Sequence, residues 1–108
     1  MTQAPSPSTP SPAPGLVRVA AVQLVSGTRV DANLSAVQPL IAEAAAAGAR
    51  LVLLHEYFCL MGRQETDKIA LCETDGSGPI QDFLATQARS HRIFLVGGTL
   101  PLKEPTAD

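Results

Sequence analysis

The chain is 108 residues long, 45 % hydrophobic and 17 % charged, which allows one globular core and leaves no room for two ordinary domains. No apolar run approaches the roughly 18 residues of a membrane helix. A net charge of −2, without any cluster of Lys or Arg, excludes the electrostatic footprint of a nucleic-acid or anionic-membrane binder, so small molecules or proteins are the expected partners.

Residues 1–15, MTQAPSPSTPSPAPG, hold five of the nine prolines and almost nothing that can bury in a core, which predicts a disordered Pro/Ser-rich tail. It lacks the basic n-region and apolar h-region of a secretory signal, and a cytoplasmic location is the default expectation. Cys59 and Cys72 form neither a CxxC pair nor a zinc-type set with histidines, so a metal site and a disulfide framework are both unexpected.

LVRVAAVQLV, residues 16–25, reads as a mostly buried strand closed by the turn signal SGTR. From Asp31, a candidate N-cap, the apolar positions Leu34, Val37, Ile41, Ala44 and Ala45 keep helical spacing until Gly48, with Pro39 as an interior kink candidate. RLVLL, residues 50–54, lacks polar alternation, the pattern of a parallel strand covered on both faces. Residues 59–78 have little periodicity and read as an irregular excursion with one helical turn around Thr66 to Leu71. Pro79 then starts a second helix with Ile80, Phe83, Leu84 and Ala88 on one face, and HRIFLVGGTLPL, residues 91–102, supplies a third strand. The order strand-helix-strand-helix-strand predicts an α/β fold with a parallel sheet and right-handed crossovers. Such a sheet would be left with an open face or edge, so residues 16–108 read as the opening portion of a larger domain.

Ligands of open α/β sheets bind at the carboxyl ends of the strands, and Glu56 lies just past the end of the second. Held between Leu54 and the aromatic Tyr57 and Phe58, its carboxylate would be partly desolvated, an environment suited to a general base. The plainer alternative is an exposed glutamate that only ends the strand. DGSG, residues 75–78, is a turn and helix start rather than a dinucleotide fingerprint, because Gln81 stands where GxGxxG needs its third glycine. Gly97 and Gly98 either allow a close backbone approach or simply terminate the strand. His91, near the end of the second helix, reads as a polar residue facing the helix dipole.

VRVAAVQL, the Ala-rich helix ending in GA, LVLLHEYF, GPIQDFLATQAR and IFLVGGTLPL, in this order, resemble the N-terminal part of the nitrilase or carbon-nitrogen hydrolase superfamily. The resemblance runs from residue 17 to about 102. It implies an α-β-β-α sandwich and a Glu-Lys-Cys triad that hydrolyses non-peptide C–N bonds of amides or nitriles without a cofactor. Glu56 matches the family glutamate, so the resemblance makes it the general base that activates the cysteine thiol. The wording of VAAVQ and HEYF is most similar to the amidase branch, which implies a small ω-amide or deaminated-peptide amide as substrate and, in the complete protein, a homo-oligomer.

Two departures bear on that implication. His55 stands where the family normally has proline, and it reads either as an added acid/base or as a tolerated or damaging substitution that loosens Glu56. The family's lysine and nucleophilic cysteine have no match: Cys59 is too close to Glu56, Cys72 lies in the irregular stretch, and Lys68 and Lys103 read as surface residues. The rival expectation is therefore a truncated, noncatalytic or partner-dependent chain. A flavodoxin-like binding module is a weaker third, since SGTR makes a poor phosphate cradle.

Overall fold

The computed structural model describes residues 11–104 of the chain. Most of the tail expectation falls on residues 1–10 and lies outside the described residues; residues 11–15 are exposed and outside any helix or strand. Three parallel strands, β1 (Val19–Val22), β2 (Leu51–Leu54) and β3 (Phe94–Val96), form a sheet in the order β1-β2-β3. Helix α1 (Val30–Ala46) connects the first two, and the short α2 (Glu65–Ala70) and the longer α3 (Pro79–His91) connect the second and third. The expected strand-helix-strand-helix-strand order is present, with α2 as the single helical excursion between β2 and α3.

The strand register aligns Val19, Leu51 and Phe94 in one row and Ala20, Val52 and Leu95 in the next, so alternate residues face opposite sides. Val22, Val52 and Leu54 are buried, with Ala20 and Leu95 packed against them. Val37 and Ile41 of α1 and Ile80 of α3 meet that side, with Leu34, Ala44, Ala45, Phe83 and Leu84 alongside. Both helices lie on the same face, as right-handed crossovers through adjacent strands require. Each fully buried aliphatic side chain stabilises this layer by roughly 1.5–3 kcal/mol relative to exposure.

The opposite face is bare. Val19 is 61 % exposed and Phe94 73 %, and Leu53 and Val96 are also open. The apolar run of β2 thus predicts a sheet covered on both faces, whereas among the described residues only one face is covered.

Three boundaries differ from the sequence expectation. β1 and β3 are shorter than their apolar runs, and β3 ends at Val96 because Gly97 and Gly98 follow. The N-cap of α1 is Arg29, not Asp31. Asp31 sits in the first turn, accepts from Arg29 Nη2 at 2.6 Å and from the adjacent Ala32 N–H, and its carboxyl is held below its ordinary value, chiefly by the Arg29 guanidinium. Pro39 faces solvent inside a continuous α1.

Candidate functional site at the carboxyl ends of the strands

Glu56 lies one residue beyond His55, just past the carboxyl end of β2, and is exposed. The partial desolvation expected between Leu54 and Phe58 is absent. The chain reverses here: Tyr57 adopts φ +52, a left-handed conformation rare for a bulky residue, and Phe58, Cys59 and Leu60 then bury in the core in place of Glu56.

Both peptide groups flanking Glu56 are constrained. The His55 carbonyl lies against Gly98, which has φ +59, and a Cβ at that position would overlap the His55 carbonyl oxygen. Glycine is required there on two counts, conformation and space. The Glu56–Tyr57 peptide is held at both ends: its carbonyl accepts from His55 Nδ1 at 2.8 Å, and its N–H donates to Thr99 Oγ1 at 3.1 Å. The close-approach reading of Gly98 therefore holds. Gly97 instead packs against Leu84 of α3, with a Cβ there only 2.7 Å from Leu84 Cδ1.

The segment after Glu56 is tied to the loop between β1 and α1. Ser26 Oγ donates to the Phe58 carbonyl at 2.6 Å, and Met61 N–H donates to the Gly27 carbonyl at 2.9 Å. Asn33, buried in the first turn of α1, donates from Nδ2 to the Gly27 and Cys59 carbonyls at 2.9 and 2.8 Å, while its Oδ1 accepts from Gly27 N–H at 2.8 Å. These two polar side chains satisfy carbonyls that burial of residues 58–60 would otherwise strand.

A second carboxylate, this one buried, organises the far side. Glu73 accepts from Ile80 N–H at 2.6 Å, Gln81 N–H at 3.0 Å and Gln81 Nε2 at 3.1 Å. It thereby satisfies the amino end of α3, whose N-cap Gly78 offers no side chain. Gly78, at φ +145, leaves the room that this carboxylate occupies. Glu73 also bridges in parallel with Leu102, so the chain beyond β3 is fastened to the same loop.

A model of the carbon-nitrogen hydrolase family matches residues 18–107. The chain belongs to the carbon-nitrogen hydrolase family. A carbon-nitrogen hydrolase function in general terms follows from that membership, and the parallel α/β layer agrees with the N-terminal part of the nitrilase-like fold.

In this carbon-nitrogen hydrolase chain, Cys59 is fully buried and burial pushes its thiol up, the reverse of what a nucleophile needs. Cys72 is half-buried, and neither cysteine is in a disulfide. Lys103 is exposed, and the expectation for the Lys68 side chain lies outside what is described. Turn formation at residues 75–78 and the start of α3 at Pro79 are as expected, and His91 is half-buried in the last turn of α3. Among the described residues no three His, Cys, Asp or Glu side chains gather as metal ligands, and no helix is long and apolar enough to cross a membrane. Sequence reasoning missed Ser26, Asn33, Glu73 and Thr99. Their partners lie 32, 26, 7 and 42 positions away, so no local pattern announces them, although a polar residue amid an otherwise apolar helix face is a usable signal for Asn33.

Proposed function

We propose that Glu56 is the general base of a carbon-nitrogen hydrolase acting on non-peptide C–N bonds, with small amides as first substrates and nitriles as the alternative. The observation that carries the reading is an exposed carboxylate at the carboxyl end of a central parallel strand, on a backbone constrained on both sides. In this reaction Glu56 takes the proton from a cysteine thiol, and the thiolate adds to the amide carbon. A lysine ammonium stabilises the oxyanion. The proton passes from Glu56 to the departing nitrogen as the C–N bond breaks, leaving a thioester. Glu56 then deprotonates the water that hydrolyses it, returning thiol and acid. No cofactor enters.

The reading assigns the lysine and the cysteine to polypeptide other than these 108 residues, and the 108-residue chain alone is inactive. Cytoplasmic location and homo-oligomeric assembly of the complete enzyme belong to the same proposal. The test is ammonia release from a panel of small amides and nitriles by the complete polypeptide encoded by the gene; a folded product that turns over none of them overturns the reading.

A second reading, a noncatalytic chain that docks on a partner, is favoured by one observation, the bare apolar face carrying Val19, Leu53, Phe94 and Val96. It predicts that the complete product remains inactive and runs in complex with another subunit.

A further inference from the structure

We propose that His55 is a positioning residue for Glu56, acting with Thr99 as a two-sided clamp on the Glu56–Tyr57 peptide. The inference rests on the reading of Glu56 as the base and concerns how that base is aimed. His55 occupies the position immediately before the carboxylate, and its ring folds forward so that Nδ1 lies 2.8 Å from the Glu56 carbonyl oxygen. A carbonyl can only accept, so Nδ1 carries the hydrogen. Thr99 Oγ1 accepts from the N–H at the other end of the same peptide unit at 3.1 Å. With both ends held, that peptide plane cannot rotate without breaking a hydrogen bond, and rotation about it is what would swing Glu56 relative to the strand.

Two further features show why a clamp is needed there. Tyr57 must hold φ +52, which a non-glycine residue adopts at a cost, so the turn needs outside support to persist. The preceding peptide is fixed differently: the His55 carbonyl is packed on Gly98. Glu56 thus has one neighbouring peptide fixed by packing and the other by hydrogen bonds. His55 Nε2 is buried and has no hydrogen-bond partner among the described residues. In the Nδ1–H tautomer that atom bears a lone pair; in the opposite tautomer it would bury an unsatisfied N–H and leave the Glu56 carbonyl facing a second acceptor. Both ring atoms therefore select the same tautomer. The histidine supplies by hydrogen bonding a restraint on Glu56 different in kind from the ring closure of a proline.

The experiment uses the complete polypeptide that the gene encodes, labelled with 15N. A long-range 1H–15N spectrum at neutral pH reads the tautomer of His55, with His91 as internal comparison. The clamp predicts Nδ1–H for His55, against the Nε2–H form that free imidazole side chains favour in water. The companion readout is exchange of the Tyr57 amide in His55→Phe, which keeps a ring without the donor, and in His55→Asn, which keeps a side-chain N–H. His55→Phe is expected to speed Tyr57 exchange roughly three- to tenfold, as befits loss of one ordinary hydrogen bond, and His55→Asn to restore it. Exchange at Val52 in the centre of β2 serves as the control for global unfolding. An Nε2–H tautomer at His55, or Tyr57 exchange equal in the wild type and His55→Phe, overturns the clamp. Neither readout depends on turnover, and Glu56→Gln is expected to leave both unchanged, so failure of Glu56 as base and failure of the clamp are distinguishable.

Discussion

Asn33 offers the sharpest stability test, because one buried side chain joins the β1–α1 loop to the segment that follows Glu56. It is 4 % exposed and makes three hydrogen bonds, donating to the Gly27 and Cys59 carbonyls and accepting from Gly27 N–H. At about 1 kcal/mol net for each bond, Asn33→Ala costs about 3 kcal/mol, a large part of the 5–15 kcal/mol that holds a typical domain. Asn33→Asp changes one atom and costs at least as much: it replaces the Nδ2 donor by an oxygen facing two carbonyls and buries a charge without a cation. Urea unfolding followed by circular dichroism is the assay. With a slope of about 1–1.5 kcal/mol per molar for a chain this size, the Asn33→Ala midpoint falls by about 2–3 M. A loss below about 0.5 kcal/mol in both variants would refute the reasoning, since the three bonds would then be no better than the water they displace.

Glu73→Ala strips the amino end of α3 of its acceptor and should cost about 2–4 kcal/mol, read as a lower urea midpoint together with faster exchange of the Ile80 and Gln81 amides. Gly98→Ala combines a left-handed residue with a Cβ driven into the His55 carbonyl; a loss of at least about 2 kcal/mol in thermal unfolding is expected, and a neutral result would show that the backbone does not approach there. In native protein, a thiol reagent should label half-buried Cys72 before Cys59. The Cys59 thiol is raised by burial, so its contribution to stability is fully present below the unfolded value near 9.0 and is lost as pH rises from there through the folded value; melting temperatures measured across that alkaline range should fall, and less so in Cys59→Ala.

The layer itself was legible in the sequence. LVLL is apolar enough to be a central strand, Val37 and Ile41 keep helical spacing, and Pro79 marks the first turn of α3. Propensity and periodicity are local quantities, and these elements are decided locally. The site was legible only in part. Glu56 was placed at the correct strand end, but its surroundings follow from the left-handed turn at Tyr57, which sends Phe58 into the core and leaves the carboxylate outside. Nothing in EYF specifies that turn without Gly98 and Thr99, which follow β3 more than 40 positions later. Asp31 was misassigned as a cap for a related reason: an Asp just before an apolar run is the common cap signature, yet its carboxylate is engaged by Arg29 and Ala32. The ties made by Ser26, Asn33 and Glu73 satisfy buried backbone groups of distant loops, a requirement visible only once the loops meet.

The account turns on Glu56, and the most direct measurement compares wild type with Glu56→Gln in the complete polypeptide that the gene encodes, following ammonia release from small amides. Glutamine keeps the shape of the side chain and its exposed place at the end of β2 while removing the proton acceptor. The account predicts steady release by the wild type and a fall in kcat/KM of roughly 10²–10⁴-fold in the variant, the range supplied by a general base, with unchanged thermal stability. Equal rates in the two proteins would contradict it, and the carboxylate would then be an exposed residue that ends a strand and takes no part in the chemistry.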